Sequence, residues 1–121
     1  MSNEGPLNSP RPEALTPLPE QHLRKVVGVW AMIFPGVRMT RSIETVGEKY
    51  FLVSRVVDEA GNRVGQDSGF LLEKMSETEF HGTGRNQSIY RVSTAGHLES
   101  YIRGESEPTM RGVPCTALWP E

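Results

Sequence analysis

One cysteine, Cys115, stands in 121 residues. A lone cysteine excludes an internal disulfide and a cysteine-rich zinc site, and it suits a reducing compartment. A basic surplus is also lacking: 13 Lys and Arg against 15 Asp and Glu leave a net charge of −2. A nucleic-acid footprint needs clustered cations, so that partner class is excluded. No apolar run approaches the ~20 residues of a membrane helix. The opening stretch MSNEGPLNSPRPEALTPLPE has no basic start followed by an apolar core, and so does not read as a secretory signal. The expectation is a soluble, cytoplasmic protein without a membrane partner. At this length it buries a single core.

Proline crowds the front of the chain. Residues 1–19 hold five of the nine prolines, with few large apolar side chains to bury. That composition predicts a flexible tail over 1–19 and one domain over 20–121. Pro19 and Glu20 suit a first helical turn, and Leu23, Val26 and Val27 fall on one helical face. One short N-terminal helix ending at Gly28 is therefore expected.

Beyond Gly28 the pattern is short strands between turn signals. Val29–Phe34 is the first, then the turn Pro35-Gly36, then an alternating stretch from Val37 to Val46. Gly47-Glu48 turns into KYFLVSRVV. Asp58-Glu59-Ala60-Gly61 and Ser93-Thr94-Ala95-Gly96 both read as a type I turn closed by a glycine in the left-handed region. Further strands are predicted over Arg63–Met75, the FHGTG stretch, Ser88–Ser93 and His97–Gly104. The remaining 105–121 offers one edge strand or a cover for an open end. The fold class is all-β: an antiparallel up-and-down meander of about seven or eight strands closing into a small barrel.

The turns predict which side faces in. A two-residue turn at Gly47-Glu48 sets Thr45, Ile43 and Arg41 opposite Tyr50, Leu52 and Ser54. The Gly61 turn sets Val56 opposite Val64, Ser54 opposite Gln66, Leu52 opposite Ser68 and Tyr50 opposite Phe70. The Gly96 turn sets Val92 opposite Leu98 and Tyr90 opposite Ser100. The other face of that hairpin carries Arg91 opposite Glu99, a pair expected outside. On the Val37–Val46 strand the reverse face, Arg38, Thr40, Ser42 and Glu44, is expected to be solvated.

The predicted interior is too polar for a simple core. It includes Arg41 beside Ser54 and Gln66, with Ser68 and Ser100 further along and Tyr50 and Tyr90 as hydroxyl donors. A buried guanidinium cannot neutralise itself, and no acidic residue falls on the inward positions. A carboxylate on a ligand would satisfy it through paired hydrogen bonds. Arg41, Tyr50, Ser54, Gln66, Ser68, Tyr90 and Ser100 are thus the candidate ligand-binding residues.

The run Gly28-Val29-Trp30 at the head of the first strand, followed by the meander, resembles the lipocalin and calycin-type barrels. The likeness covers roughly residues 20–104 by pattern, with only G-x-W carrying a motif. It implies a short lipocalin-like barrel whose tryptophan closes one end and whose interior takes small, often apolar molecules.

The remaining candidates have plainer readings. His97 and Glu99 share a face, but His81 sits on another strand, and no third ligand follows at metal-site spacing. No metal and no cofactor are expected. Arg55, Arg91 and Arg103 read as exterior ion-pair partners of Glu99 and Asp67. Cys115, Trp30 and Trp119 read as packing residues. Phe51, Val53 and Val57 form an outward apolar stripe that needs a cover, either the proline-rich tail or a second copy in a homodimer. The function these features suggest is binding of a small, partly apolar molecule with an anionic group. Two alternatives stay open: an isomerase- or decarboxylase-type barrel enzyme, or a protein-interaction module using the exposed stripe.

Overall fold

A computed structural model describes residues 15–33, 35–65 and 68–121. The expected flexible tail lies outside the described residues over 1–14. Its end does not: Leu15–Pro17 forms a short strand, β1. The expected helix is replaced by a single 3-10 turn, Gln21–Leu23, and the chain is already extended at Lys25. Val26 and Val27 are β-branched and fit a pleated wall better than a helix. The register shifts between Val26 and Gly28, a bulge that interrupted the strand signal in the sequence.

Nine further strands follow: β2 (Lys25–Ile33), β3 (Arg38–Val46), β4 (Lys49–Val57), β5 (Arg63–Val64), β6 (Ser68–Lys74), β7 (Glu79–Gly82), β8 (Ser88–Val92), β9 (Leu98–Ile102) and β10 (Met110–Pro114). Eight of them close an antiparallel barrel in the order β2-β3-β4-β6-β7-β8-β9-β10, with β10 pairing back onto β2. Apart from the closing pair of β10 and β2, every neighbour in the wall is the next or previous long strand, so the barrel is an up-and-down meander. β1 pairs with β6, and β5 pairs with the end of β4. No described helix is long and apolar enough to cross a membrane.

The two glycine-closed turns form as the sequence predicts. Gly61 and Gly96 have φ of 86° and 85°, in the left-handed region that glycine enters without a Cβ penalty. In both turns the glycine N–H donates to the carbonyl three residues back, Asp58 and Ser93 respectively. The strand registers they set agree with the prediction at Arg41–Ser54, Ile43–Leu52, Thr45–Tyr50, Val56–Val64, Val92–Leu98 and Tyr90–Ser100.

One register differs. Leu52 faces Phe70 rather than Ser68, and Tyr50 faces Leu72 rather than Phe70. The ladder on β4 breaks after Val64 and resumes with β6 two residues out of step with the predicted continuous strand. Two residues is one full side-chain period, so the described residues of β6 keep their sides.

Inside the wall, Trp30, Met32, Ile43, Leu52, Leu72, Phe80, Tyr90 and Leu98 make one buried cluster. An eight-strand barrel leaves about the width its own side chains fill, and this one is filled accordingly. Trp30 is nearly buried and its indole N–H donates to the Gly96 carbonyl at 2.8 Å, tying β2 to the turn between β8 and β9. The ring lies directly over Gly28, where a Cβ would come within 2.6 Å of it. The G-x-W spacing thus has a steric cause: two residues apart on one face, the glycine leaves the space the indole occupies. Gly28→Ala is expected to displace the ring and lower stability by about 1–3 kcal/mol, read as a lower midpoint in urea unfolding with unchanged slope.

Candidate functional site

Alternation on β3 and β4 points Arg41 and Ser54 into the lumen, and alternation on β9 does the same for Ser100. Arg41 Nε donates to Ser54 Oγ at 3.3 Å and Nη1 to Ser100 Oγ at 3.4 Å. The guanidinium therefore reaches across the interior from one wall to another. Both bonds are long, and among the described residues no carboxylate pairs with it. Burial pulls the Arg41 guanidinium below its usual range, and the nearby Tyr90 phenol partly offsets this. It stays charged all the same, because arginine does not deprotonate in proteins. Tyr90 is itself buried, its hydroxyl accepting from Asn86 Nδ2 at 3.2 Å.

The structure brings four of the predicted residues together: Arg41, Ser54, Ser100 and Tyr90. Ser68 joins Ser54, Leu52, Phe70, Gly69 and Leu15 around a small cavity of about 180 Å³. Arg41 is joined to that cavity through Ser54, which both lines it and accepts from the guanidinium. Tyr50 is half-buried but lies elsewhere, its ring 5.6 Å from Phe80 with Lys74 Nζ 5.4 Å above it. Gln66 lies outside the described residues.

The outer side of the same wall departs from expectation. Thr40, Ser42 and Glu44 are buried rather than solvated, Glu44 to 1% exposure. Phe51, Val53 and Val57 are buried too, so the apolar stripe is not open to a second copy. The chain's own flanks account for the cover. Leu18 packs beside Gly69 on this side, Arg24 reaches Glu44, and Thr40 Oγ1 donates to the Leu118 carbonyl of the segment after β10.

Under that cover sits a charge cluster the sequence reading missed. Glu44 Oε1 accepts from Arg24 Nε at 2.6 Å, and Oε2 pairs with Arg55 Nη1 at 2.9 Å. Ser42 Oγ donates to Oε2 and accepts from Arg55 at 2.9 Å. Arg55 was expected outside with Glu99 or Asp67; instead it is 4% exposed and spends its charge on Glu44. A signal for this existed. Glu44 sits opposite Phe51, and a carboxylate beside an apolar outer stripe belongs under a cover.

The other polar candidates form ordinary surface contacts. Arg91 pairs with Glu79 across β8 and β7, at 3.0 Å, rather than with its cross-strand neighbour Glu99. Glu99 turns to Arg111 and to the Tyr101 hydroxyl. His81 Nε2 lies 2.7 Å from Glu79 Oε2, and the His97 backbone N–H donates to Ser93 Oγ. The Cys115 thiol is half-buried against the Ala117 carbonyl, and burial pushes its pKa up. A thiol held in that way is a poor nucleophile. Comparison with known protein families, curated proteins and solved structures returns no match.

Burial alone would raise the Glu44 pKa, but hydrogen bonds from Ser42, Arg24 and Arg55 outweigh it, and the carboxyl is held below its ordinary value. A depressed carboxylate pKa stabilises the fold at pH values above the unfolded value, about 4.3, and that contribution disappears as pH falls through the folded value. Glu44→Gln strands two buried guanidinium groups. It is expected to cost about 3–5 kcal/mol at pH 7, with the gap to wild type closing on acidification below about pH 4, as followed by urea unfolding across pH.

Proposed function

We propose that the protein binds a small anionic molecule inside the barrel, a carboxylate being the simplest match, with Arg41 as its anchor. One observation carries this reading: a guanidinium inside the lumen whose hydrogen bonds, among the described residues, go to two serine hydroxyls at 3.3 and 3.4 Å. Holding a cation there costs free energy that two long neutral hydrogen bonds do not recover. A carboxylate would supply a charge-assisted pair in the same place.

The cavity beside Ser54 and Ser68, about 180 Å³, sets the scale of the ligand. Drug-sized molecules occupy pockets of about 300–1,000 Å³, so a short-chain acid fits better than an extended one. Leu52 and Phe70 supply an apolar wall, and the serine hydroxyls supply orientation. The protein then acts as a carrier or sensor of such an acid, in the cytoplasm and without a cofactor. The eight-strand meander and the packing of Trp30 on Gly28 support kinship with lipocalin-like barrels.

Arg41→Met keeps an unbranched, flexible side chain, shorter than that of arginine, and removes its charge. Calorimetric titration with acetate, lactate and inorganic phosphate is expected to show binding to wild type and an affinity at least about tenfold weaker for the variant. Its melting temperature should stay level or rise, since a desolvated cation is gone. A variant that melts several degrees lower while binding equally well, or a wild type that binds none of the three, would overturn the reading.

A further inference from the structure

A second cavity, about 660 Å³, lies between the β2–β3 hairpin and the segment after β10. Ala31 and Thr40, which are register partners, border it from the hairpin. Met32 and Met39 border it too, and both pack into the apolar cluster of the barrel, so cavity and lumen share these two side chains. Cys115 and Trp119 border it from the crossing segment. Its volume falls within the range of ligand pockets, about 300–1,000 Å³.

The polar groups around it are already engaged within the chain. Arg38 Nη1 donates to the Glu121 carbonyl at 3.1 Å, and both residues are exposed at the cavity's edge. A cation and an acidic residue therefore stand together there, and neither sign of charge is in excess. Thr40 Oγ1 donates to the Leu118 carbonyl, and the Cys115 thiol to the Ala117 carbonyl at 3.6 Å. What remains for an occupant is apolar, sulfur-bearing and aromatic surface. Met32, Met39 and Cys115 supply the sulfur, which is polarisable and packs favourably against rings, and methionine is flexible enough to follow an irregular outline. Trp119 supplies a ring, with the Arg63 guanidinium 4.8 Å from its centre. A second aromatic system gains on such a ring beyond the area it buries.

We infer that this cavity binds a neutral aromatic molecule of naphthalene size or somewhat larger, seated among Met32, Met39, Cys115 and Trp119. The inference goes beyond the Arg41 reading: Arg41 does not border the cavity, and the ligand needs no charge. An acidic group on the ligand would lose its water next to an arginine that already has Glu121 beside it, which counts against an anion.

N-phenyl-1-naphthylamine brightens in apolar surroundings, and 8-anilinonaphthalene-1-sulfonate is the same skeleton with a sulfonate added. Fluorescence titration of the full chain is expected to saturate at one N-phenyl-1-naphthylamine per chain, with the sulfonate bound about tenfold or more weakly. Naphthalene should displace the neutral probe at a several-fold lower concentration than decalin, its saturated counterpart. Ala117→Phe puts a ring into the space, and Trp119→Ala takes one of its walls away. Both positions are half-buried in a stretch without regular structure, and the two changes act in opposite directions, so a folding defect in one leaves the other decisive. Each folded variant should bind the neutral probe about tenfold or more weakly. No binding of the neutral probe, equal or tighter binding of the sulfonate, displacement by decalin as readily as by naphthalene, or undiminished binding in a folded variant would each overturn the inference.

Discussion

Closure of the eight-strand wall assigns each strand residue to one of two sides, and the pleat permits no intermediate position. Everything else in the molecule follows from that constraint. On β3 the same alternation sends Arg41 and Ile43 inward and Ser42 and Glu44 outward. Both sets are then enclosed, one by the barrel and the other by the chain's flanks. The strand carries opposite charges on its two faces, each shielded from water by a different part of the sequence.

The two charges meet opposite circumstances. Glu44 has each oxygen assigned, one to Arg24 and the other to Arg55 and Ser42. Such a cluster is a weak source of net stability, because desolvation consumes much of the attraction. Its effect is positional: Arg24 fixes where the chain before β2 crosses the wall, and Arg24 Nη1 also holds the Pro19 carbonyl. Among the described residues Arg41 has no such partner set. Its hydrogen bonds run to two neutral serine hydroxyls, whereas each Glu44 oxygen meets a cation.

Parity was legible in the sequence wherever a turn could be identified. Gly61, Gly96 and the Gly47-Glu48 pair each locked a local register, and the inward placement of Arg41, Ser54 and Ser100 followed from them. Contacts between distant segments were not legible, since nothing local encodes them. Glu44 meets Arg24, before β2, and Thr40 meets Leu118, after β10, both far away in sequence from β3. The same holds for a cavity of about 660 Å³ on the β2–β3 hairpin, lined by Ala31, Ile33 and Thr40 on one side and by Cys115, Trp119 and Pro120 on the other. Periodicity misled at Val26 and Val27, where three apolar residues imitated a helical face and tertiary pairing with β3 prevailed.

Pairing of β10 with β2 joins Trp30 to Pro114 across most of the chain. The ring of hydrogen bonds is therefore the last thing the polypeptide can complete. While the chain is being synthesised, β2 has a bare edge with no partner to mask it, and β9 has another. Until Met110–Pro114 emerges, the nascent protein is a curled ribbon with two adhesive margins. Crowded unfinished chains would meet at those margins first, which makes the interval before the final strand the molecule's most hazardous.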